Sequence, residues 1–323
     1  MLTIPSISVI ICTWNRAALL DTTLRSLNAQ QSCGRIEIEV IVVDNNSSDN
    51  TKEVVERVRR GWRLGSLHYC FEARQGKQFA LNTGLRVSKM NVLAFTDDDV
   101  VLSPQWLASI AKVFEDEALD LAGGKTLLVW PASGKPSWFD PGMSAILGGV
   151  DLGESRLFPP PSGYAPSGAN LVARRKLFDE VGMYSEAHFR HMDYEFGLRC
   201  AQLEAQISYE PSLVVYAPVA PGCLSKRYFR RWSFKAGIVR DEGEARSGPH
   251  FLSAPRWVFR QTFEDFIFLL LGGFLSDDGV SFGRELRMWR GIGVIASRLH
   301  ERLRPGQHAK WVEKYSQKKR NLY

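Results

Sequence analysis

Several signatures that would settle the class of this chain quickly are missing. Its five cysteines (Cys12, Cys33, Cys70, Cys200 and Cys223) are odd in number and none stands in a C-x-x-C pair. No zinc site or disulfide framework is therefore indicated, and reduced thiols are the expectation. No G-x-G-x-x-G follows the first strand-like run, which argues against a dinucleotide-dependent oxidoreductase. The opening MLTIPSISVIIC has neither the basic flank nor the cleavage site of a signal peptide, so a cytoplasmic protein is expected. The run FIFLLLGGFL, between Asp265 and Asp277, is too short for about 30 Å of hydrocarbon, which takes about 20 residues.

What is present belongs to an ordinary globular chain. Its 323 residues, 45% of them apolar, can fill two average domains or one large α/β domain with an appendage. A formal net charge of +6 suits an anionic partner such as a nucleotide diphosphate or an anionic lipid surface. The basic residues are scattered, which speaks against nucleic acid.

The first hundred residues alternate between two periods. ISVIIC (7–12), IEVIVVD (38–44), SLHYCF (66–71) and NVLAF (91–95) are short β-branched or aromatic runs of the kind that form buried strands. Between them, Leu19, Leu20, Leu24 and Leu27 recur at helical spacing. Asn50 with Glu53 resembles a capping box opening TKEVVERVRR, and GKQFALNTGLRVS reads as a third helix weakened by Gly84. Alternation of this kind predicts βαβ units and an α/β fold with a mostly parallel sheet flanked by helices.

Ligands of such sheets bind beyond the carboxyl ends of the strands. Thr13, Asn15 and Arg16 follow the first strand, Asp44 closes the second, and Asp97, Asp98 and Asp99 close the fourth. Three adjacent carboxylates repel one another unless something positive sits beside them. If the backbone stays extended, Asp97 and Asp99 face one way and Asp98 the other. Two carboxylates facing a cleft suit a hard divalent cation, Mg²⁺ or Mn²⁺, which prefers oxygen ligands and substrate phosphates. A solvated acidic loop is the alternative.

Four features in order, VIICTWNR, VIVVDNNSSDNT, AFTDDDV and GANLVARRKLFDEVG followed by HMDYEFGLRC, resemble the family-2 glycosyltransferases over roughly residues 7–221. The resemblance implies a GT-A, Rossmann-like fold with a C-terminal helical appendage, and inverting transfer of a sugar from a UDP- or GDP-linked donor to an acceptor hydroxyl. It assigns Thr13, Asn15 and Arg16 to the base pocket and Asp44 to the nucleobase. The family's DxD motif falls on Asp97-Asp98-Asp99, with Asp97 at the ribose or metal and Asp99 ligating the cation. Asp193 matches the family's general base, although Met192 stands where a Glu is usual; a plain helix cap is the other reading of Asp193, and Glu195 reads as a surface charge. Phe196, Cys200 and Leu203 share a helix face there. Lys77 near a helix start would touch phosphate, a surface lysine being the alternative. Gly168 and Asn170 would line the acceptor side.

Two departures from the family stand out. Ala217 occupies the place of a histidine that contacts metal or diphosphate in many relatives, and Leu81 replaces an Arg before Asn82, leaving Arg74 or Lys77 to substitute. A catalytically silent sugar-nucleotide or glycan binder is the second functional reading, supported by Ala217 and opposed by Asp99 and Asp193. The basic and aromatic LSKRYFRRWSFKAGIVR resembles a segment that closes over diphosphate and acceptor, with Arg230, Arg231 and Trp232 as its contacts; an amphipathic surface helix reads equally well. The expected organisation is a nucleotide-sugar half (1–125), an acceptor half of the same domain (126–221) and a helical C-terminal region (222–323). That last region either lies on the inner face of the plasma membrane or packs on the core or a second subunit. The acceptor expected is a sugar or lipid-linked sugar of cell-surface polysaccharide or glycolipid synthesis.

Overall fold

The computed structural model describes residues 6–31, 34, 36–186, 192–239, 249–272, 275 and 278–316. Cys33 and His191 lie outside the described residues, as do parts of the C-terminal run. The chain forms two compact units, Met1–Val129 with Gly148–Pro218, and Trp130–Leu147 with Val219–Tyr323.

In the first unit the four expected strands form as β1 (Ser6–Thr13), β2 (Glu37–Asp44), β3 (Ser66–Phe71) and β4 (Val92–Asp97). Helices α1 (Ala17–Asn28), α2 (Thr51–Arg59) and α3 (Lys77–Val87) alternate with them. The chain continues through β5 (Val101–Leu102), α4 (Trp106–Val113), β6 (Leu121–Val129), β7 (Leu171–Arg174), α5 (Arg175–Val181), α6 (Met192–Gln202) and β8 (Ile207–Pro218). One eight-stranded sheet results, in the order β3-β2-β1-β4-β7-β6-β8-β5. It is mostly parallel, with β7 and β5 running against their neighbours. The strands read as unbroken apolar runs because both faces are covered. Ile7, Val9 and Ile11 pack with Leu20, Leu24, Val55 and Trp106 on one face, while Ile10, Ile41 and Phe95 pack with Ala80, Leu85, Phe178 and Phe196 on the other.

Some local expectations change. Asn50 makes no side-chain cap; Asp49 does that work, accepting from the Thr51 N–H and hydroxyl with one oxygen and from the Ala17 N–H with the other. One aspartate thus ties the starts of α1 and α2 together. Gly84 is in α3 because the helix lies almost on β1, where a Cβ would come 2.5 Å from Ile10 Cγ2. Phe196 and Cys200 are fully buried as their spacing predicts, but Leu203 falls after α6 ends and is 57% exposed.

The second unit contains α7 (Lys226–Val239), α8 (Arg256–Leu270), α9 (Gly279–Leu303) and α10 (Pro305–Ser316). Phe229 and Phe282 meet Trp138 edge to face. Helices α7 and α9 approach closely where Gly237 and Gly293 leave out side chains. Among the described residues no helix is long and apolar enough to cross a membrane.

Candidate active site

Parallel register aligns the strand ends. Thr13 pairs with Asp44 across β1 and β2, and Cys12 pairs with Asp97 across β1 and β4. The sheet grows through β2 and β3 on one side of β1 and through β4 on the other. The strand order thus reverses between β1 and β4, the place where ligands of open α/β sheets bind, and the segments that follow these two strands are held together by Arg16 on Asp98 and Asp99 and by the Thr23 hydroxyl on the Val100 carbonyl.

Asp44 is buried and doubly engaged, accepting 2.9 Å from the Ser47 N–H and 2.8 Å from the Tyr69 hydroxyl. Burial, reinforced by Asp44, pushes the Tyr69 hydroxyl well above its ordinary pKa, so it remains a donor. Beside Asp44, the buried Thr13 hydroxyl oxygen has no hydrogen-bond partner among the described residues. Asn15, at φ 52°, accepts through its side chain from the Ser48 N–H, and its own N–H donates to Ser47 Oγ. This pins the β1–α1 turn to the β2–α2 turn.

The three aspartates do not alternate as an extended strand would. β4 ends at Asp97 and the backbone turns, so Asp98 and Asp99 reach the same nitrogen: Arg16 Nη1 donates 2.9 Å to Asp98 Oδ1 and 2.8 Å to Asp99 Oδ2. Asp98 is buried, whereas the Asp97 and Asp99 side chains are each 31% exposed. Lys77, the first residue of α3, makes a short ion pair with Asp97. Burial opposes the lysine's charge, but the charge and hydrogen bond of Asp97 outweigh it and raise the pKa, with Asp193 adding to the effect. Neighbouring Cys12 is no thiolate, since burial pushes its thiol up to about 12.

Asp193 comes from the first turn of α6. Its Oδ2 accepts 2.8 Å from the Gly168 N–H and its Oδ1 from the N–H of Tyr194. Gly168 is followed by Ala169, whose carbonyl accepts from the Thr96 hydroxyl next to Asp97, so Asp193 lies at the same strand edge, where its charge helps to raise the Lys77 pKa. Glu195, by contrast, grips the Arg199 guanidinium at 2.6 and 3.1 Å. Asn170 departs from its expected place on the acceptor side. It is fully buried, accepting from Trp106 Nε1 and donating to the carbonyls of Lys125 and Leu213, so it ties α4, β6 and β8 together. Asn82 is likewise spent, exchanging two hydrogen bonds with the Tyr184 backbone. Ala217 packs against the core of this unit. Arg230, Arg231 and Trp232 all lie on α7 of the second unit, where Arg230 makes two hydrogen bonds to Glu285 at 2.6 and 2.9 Å.

Three supporting residues went unnoticed in the sequence. The Asn45 side chain accepts from the Gly76 N–H and donates to the Arg74 carbonyl, holding the approach to Lys77. Glu72 serves the same loop through Arg74 and Thr83, and the Arg74 contact draws its carboxyl down to about 2. Tyr69 was legible in principle, because strand alternation and parallel register put it on the face that Asp44 occupies.

Comparison with known proteins bears on the family and the fold. Residues 8–181, more than half of the chain, match Glycosyl transferase family 2. Glycosyltransferase AglE of Haloferax volcanii is 26% identical over 71% of this chain and 72% of its own length. Two further curated relatives are covered over only 52% and 25% of their lengths. Among solved structures, the mannosyltransferase PcManGT of Pyrobaculum calidifontis, in complex with GDP-Man and Mn²⁺, superposes with a TM-score of 0.56 at 18% identity, over 96% of this chain and 84% of that one. S. aureus TarS residues 1–349 in complex with UDP gives 0.52 at 19% identity, over 94% and 92%. These likenesses establish the fold, and the family match establishes the kind of enzyme: the chain is a glycosyltransferase of the GT-A fold and belongs to glycosyl transferase family 2.

Proposed function

We propose that this enzyme moves a hexose from a UDP- or GDP-linked donor to an acceptor hydroxyl with inversion, Asp193 acting as the base. One observation carries the reading: Asp193 is oriented by the Gly168 amide and coupled to Lys77, which is itself paired with Asp97. The base and ribose would lie against Asp44, Tyr69 and the unpartnered Thr13 hydroxyl. The diphosphate would lie by Arg16 and Lys77, whose charges stabilise the leaving group as the sugar bond breaks. Asp193 takes the proton of the acceptor hydroxyl while its oxygen attacks the anomeric carbon from the side opposite the diphosphate. Gly168 bounds the acceptor side.

The residues suit a divalent cation. Two partly open carboxylates, Asp97 and Asp99, supply hard oxygen atoms where basic side chains are already drawn in. Among the described residues no three His, Cys, Asp or Glu side chains could hold a metal by themselves, so Asp97 and Asp99 would hold Mg²⁺ or Mn²⁺ together with donor oxygens. Bound there, the ion would add positive charge against the departing diphosphate. PcManGT with GDP-Man and Mn²⁺ and TarS with UDP support this choice of donor and metal. The acceptor is a sugar or lipid-linked sugar of surface polysaccharide or glycolipid synthesis, met at the anionic inner face of the plasma membrane.

Asp193→Asn tests the base. The amide keeps an oxygen for the Gly168 N–H and gives up only the contact with the Tyr194 N–H in the first turn of α6, so the fold and donor affinity should persist. Turnover with a competent acceptor should fall about 10²–10⁴-fold. If the variant turns over within a fewfold of wild type, the base is another group. Failure of wild type to transfer any donor sugar would favour the silent binder that Ala217 suggests.

A further inference from the structure

The contact of Arg16 with two of the three aspartates has a consequence for how the site fills. A single nitrogen, Nη1, lies 2.9 Å from Asp98 and 2.8 Å from Asp99. The Arg16 side chain is 16% exposed and that of Asp98 only 5%, so the contact is sheltered from solvent screening. Its backbone is fixed. The Arg16 carbonyl accepts the Leu20 N–H at the start of α1, the Ala17 N–H is held by Asp49, and Asn15 is tied to Ser47 and Ser48. Any movement at Arg16 is therefore a movement of its side chain.

We infer that Arg16 gates the cation site: its guanidinium stands at Asp99 until a nucleotide diphosphate draws it away, so the donor assists metal entry. The inference rests on the proposed metal role of Asp99. A divalent ion approaching Asp99 alone meets a guanidinium within hydrogen-bond reach of the oxygen it needs, and the two positive charges repel. A diphosphate offers the guanidinium the planar, bidentate partner it prefers. Movement of Arg16 onto the diphosphate takes the guanidinium charge away from Asp99 Oδ2 in the same event. By linkage, nucleotide and cation must then raise each other's affinity by the same factor. Lys77 on Asp97 leaves the second carboxylate neutralised in the same way, so neither proposed ligand faces the ion bare.

Mn²⁺ binding, read by calorimetry and by the paramagnetic resonance of free Mn²⁺, tests this without turnover. Wild type, Arg16→Gln and Arg16→Lys are each titrated with Mn²⁺ alone and with Mn²⁺ in saturating UDP or GDP, their melting temperatures being recorded on the same samples. Wild type should bind Mn²⁺ at least tenfold more tightly with the nucleotide than without it. Arg16→Gln should bind Mn²⁺ alone about tenfold or more better than wild type, so that the nucleotide's enhancement shrinks to the part its own oxygen ligands supply. Arg16→Lys, which keeps the charge but not the fork, should fall between them. If nucleotide-assisted Mn²⁺ binding is intact in wild type but both variants bind Mn²⁺ alone no better than wild type, the gate is overturned while the metal role stands. If wild type binds no Mn²⁺ even with either nucleotide present, the metal role fails and the gate with it.

Discussion

Asp97, Asp98 and Asp99 are tolerated side by side because each has a cation at hand: Lys77 for the first, and one Arg16 nitrogen for the other two. Asp44 meets its own burial differently, through a backbone N–H and the Tyr69 hydroxyl. These positions were readable from the sequence because a carboxylate closing an apolar strand has few places to point. Asn170 was not. In a stretch such as GANLVARR nothing local tells whether an amide faces a ligand or the interior, and its partners, Trp106 and the carbonyls of Lys125 and Leu213, are distant in sequence. Asn170→Ala would strand an indole N–H and two buried carbonyls, at a cost of about 1–3 kcal/mol for each group that stays unsatisfied. Chemical denaturation should show a loss of about 3 kcal/mol or more, with the acceptor KM of the remaining folded enzyme unchanged. Unaltered stability with a raised acceptor KM would return Asn170 to the acceptor site.

At the scale of elements, periodicity found β1 to β4 and α1 to α3 closely, because each buries a regular apolar face. It could not show that β7 enters antiparallel between β4 and β6, since strand order depends on contacts made far along the chain. Nor could it explain the glycines of α9, which weaken a helix in sequence terms by about 1 kcal/mol each. Gly237 and Gly293 are where α7 and α9 come nearly backbone to backbone. An added Cβ would lie 2.1 Å from the Arg290 carbonyl oxygen at the first and 2.2 Å from the Phe234 carbonyl oxygen at the second. A backbone oxygen cannot swing aside as a side chain can. Gly293→Ala should therefore destabilise the second unit by about 3 kcal/mol, at the upper end of overpacking costs, despite the better helix propensity of Ala. Gly283→Ala, on the same helix but with only Met143 Cε near, at 3.9 Å, should be neutral or stabilising by up to about 1 kcal/mol. Equal melting temperatures for the two variants would show that the crossing is looser than these distances require.

At the scale of the whole molecule, the second unit carries apolar surface that its own helices leave uncovered. Around the end of α8 and the start of α9, Leu271 is 84% exposed, Leu275 92%, Val280 68% and Leu270 58%. In sequence this run fitted a membrane face and a buried helical contact equally, because hydropathy says how apolar a segment is and not what covers it. Residues 256–316 hold ten Lys and Arg against seven Asp and Glu, a modest excess that favours an anionic surface. Peripheral attachment predicts that wild type sediments with vesicles containing phosphatidylglycerol, more weakly with purely zwitterionic ones, and less as salt is raised. Burying a leucine contributes about 1.5–3 kcal/mol. The double change Leu271→Glu with Leu275→Glu should therefore reduce vesicle partition by about 100-fold or more. Both positions are open to solvent, so the melting temperature and transfer to a water-soluble acceptor should hold. Sedimentation of the double variant equal to wild type, or failure of wild type to bind anionic vesicles at low salt, would remove the membrane from the function of this surface and leave a protein partner, detectable as a concentration-dependent change in mass, as the occupant to pursue.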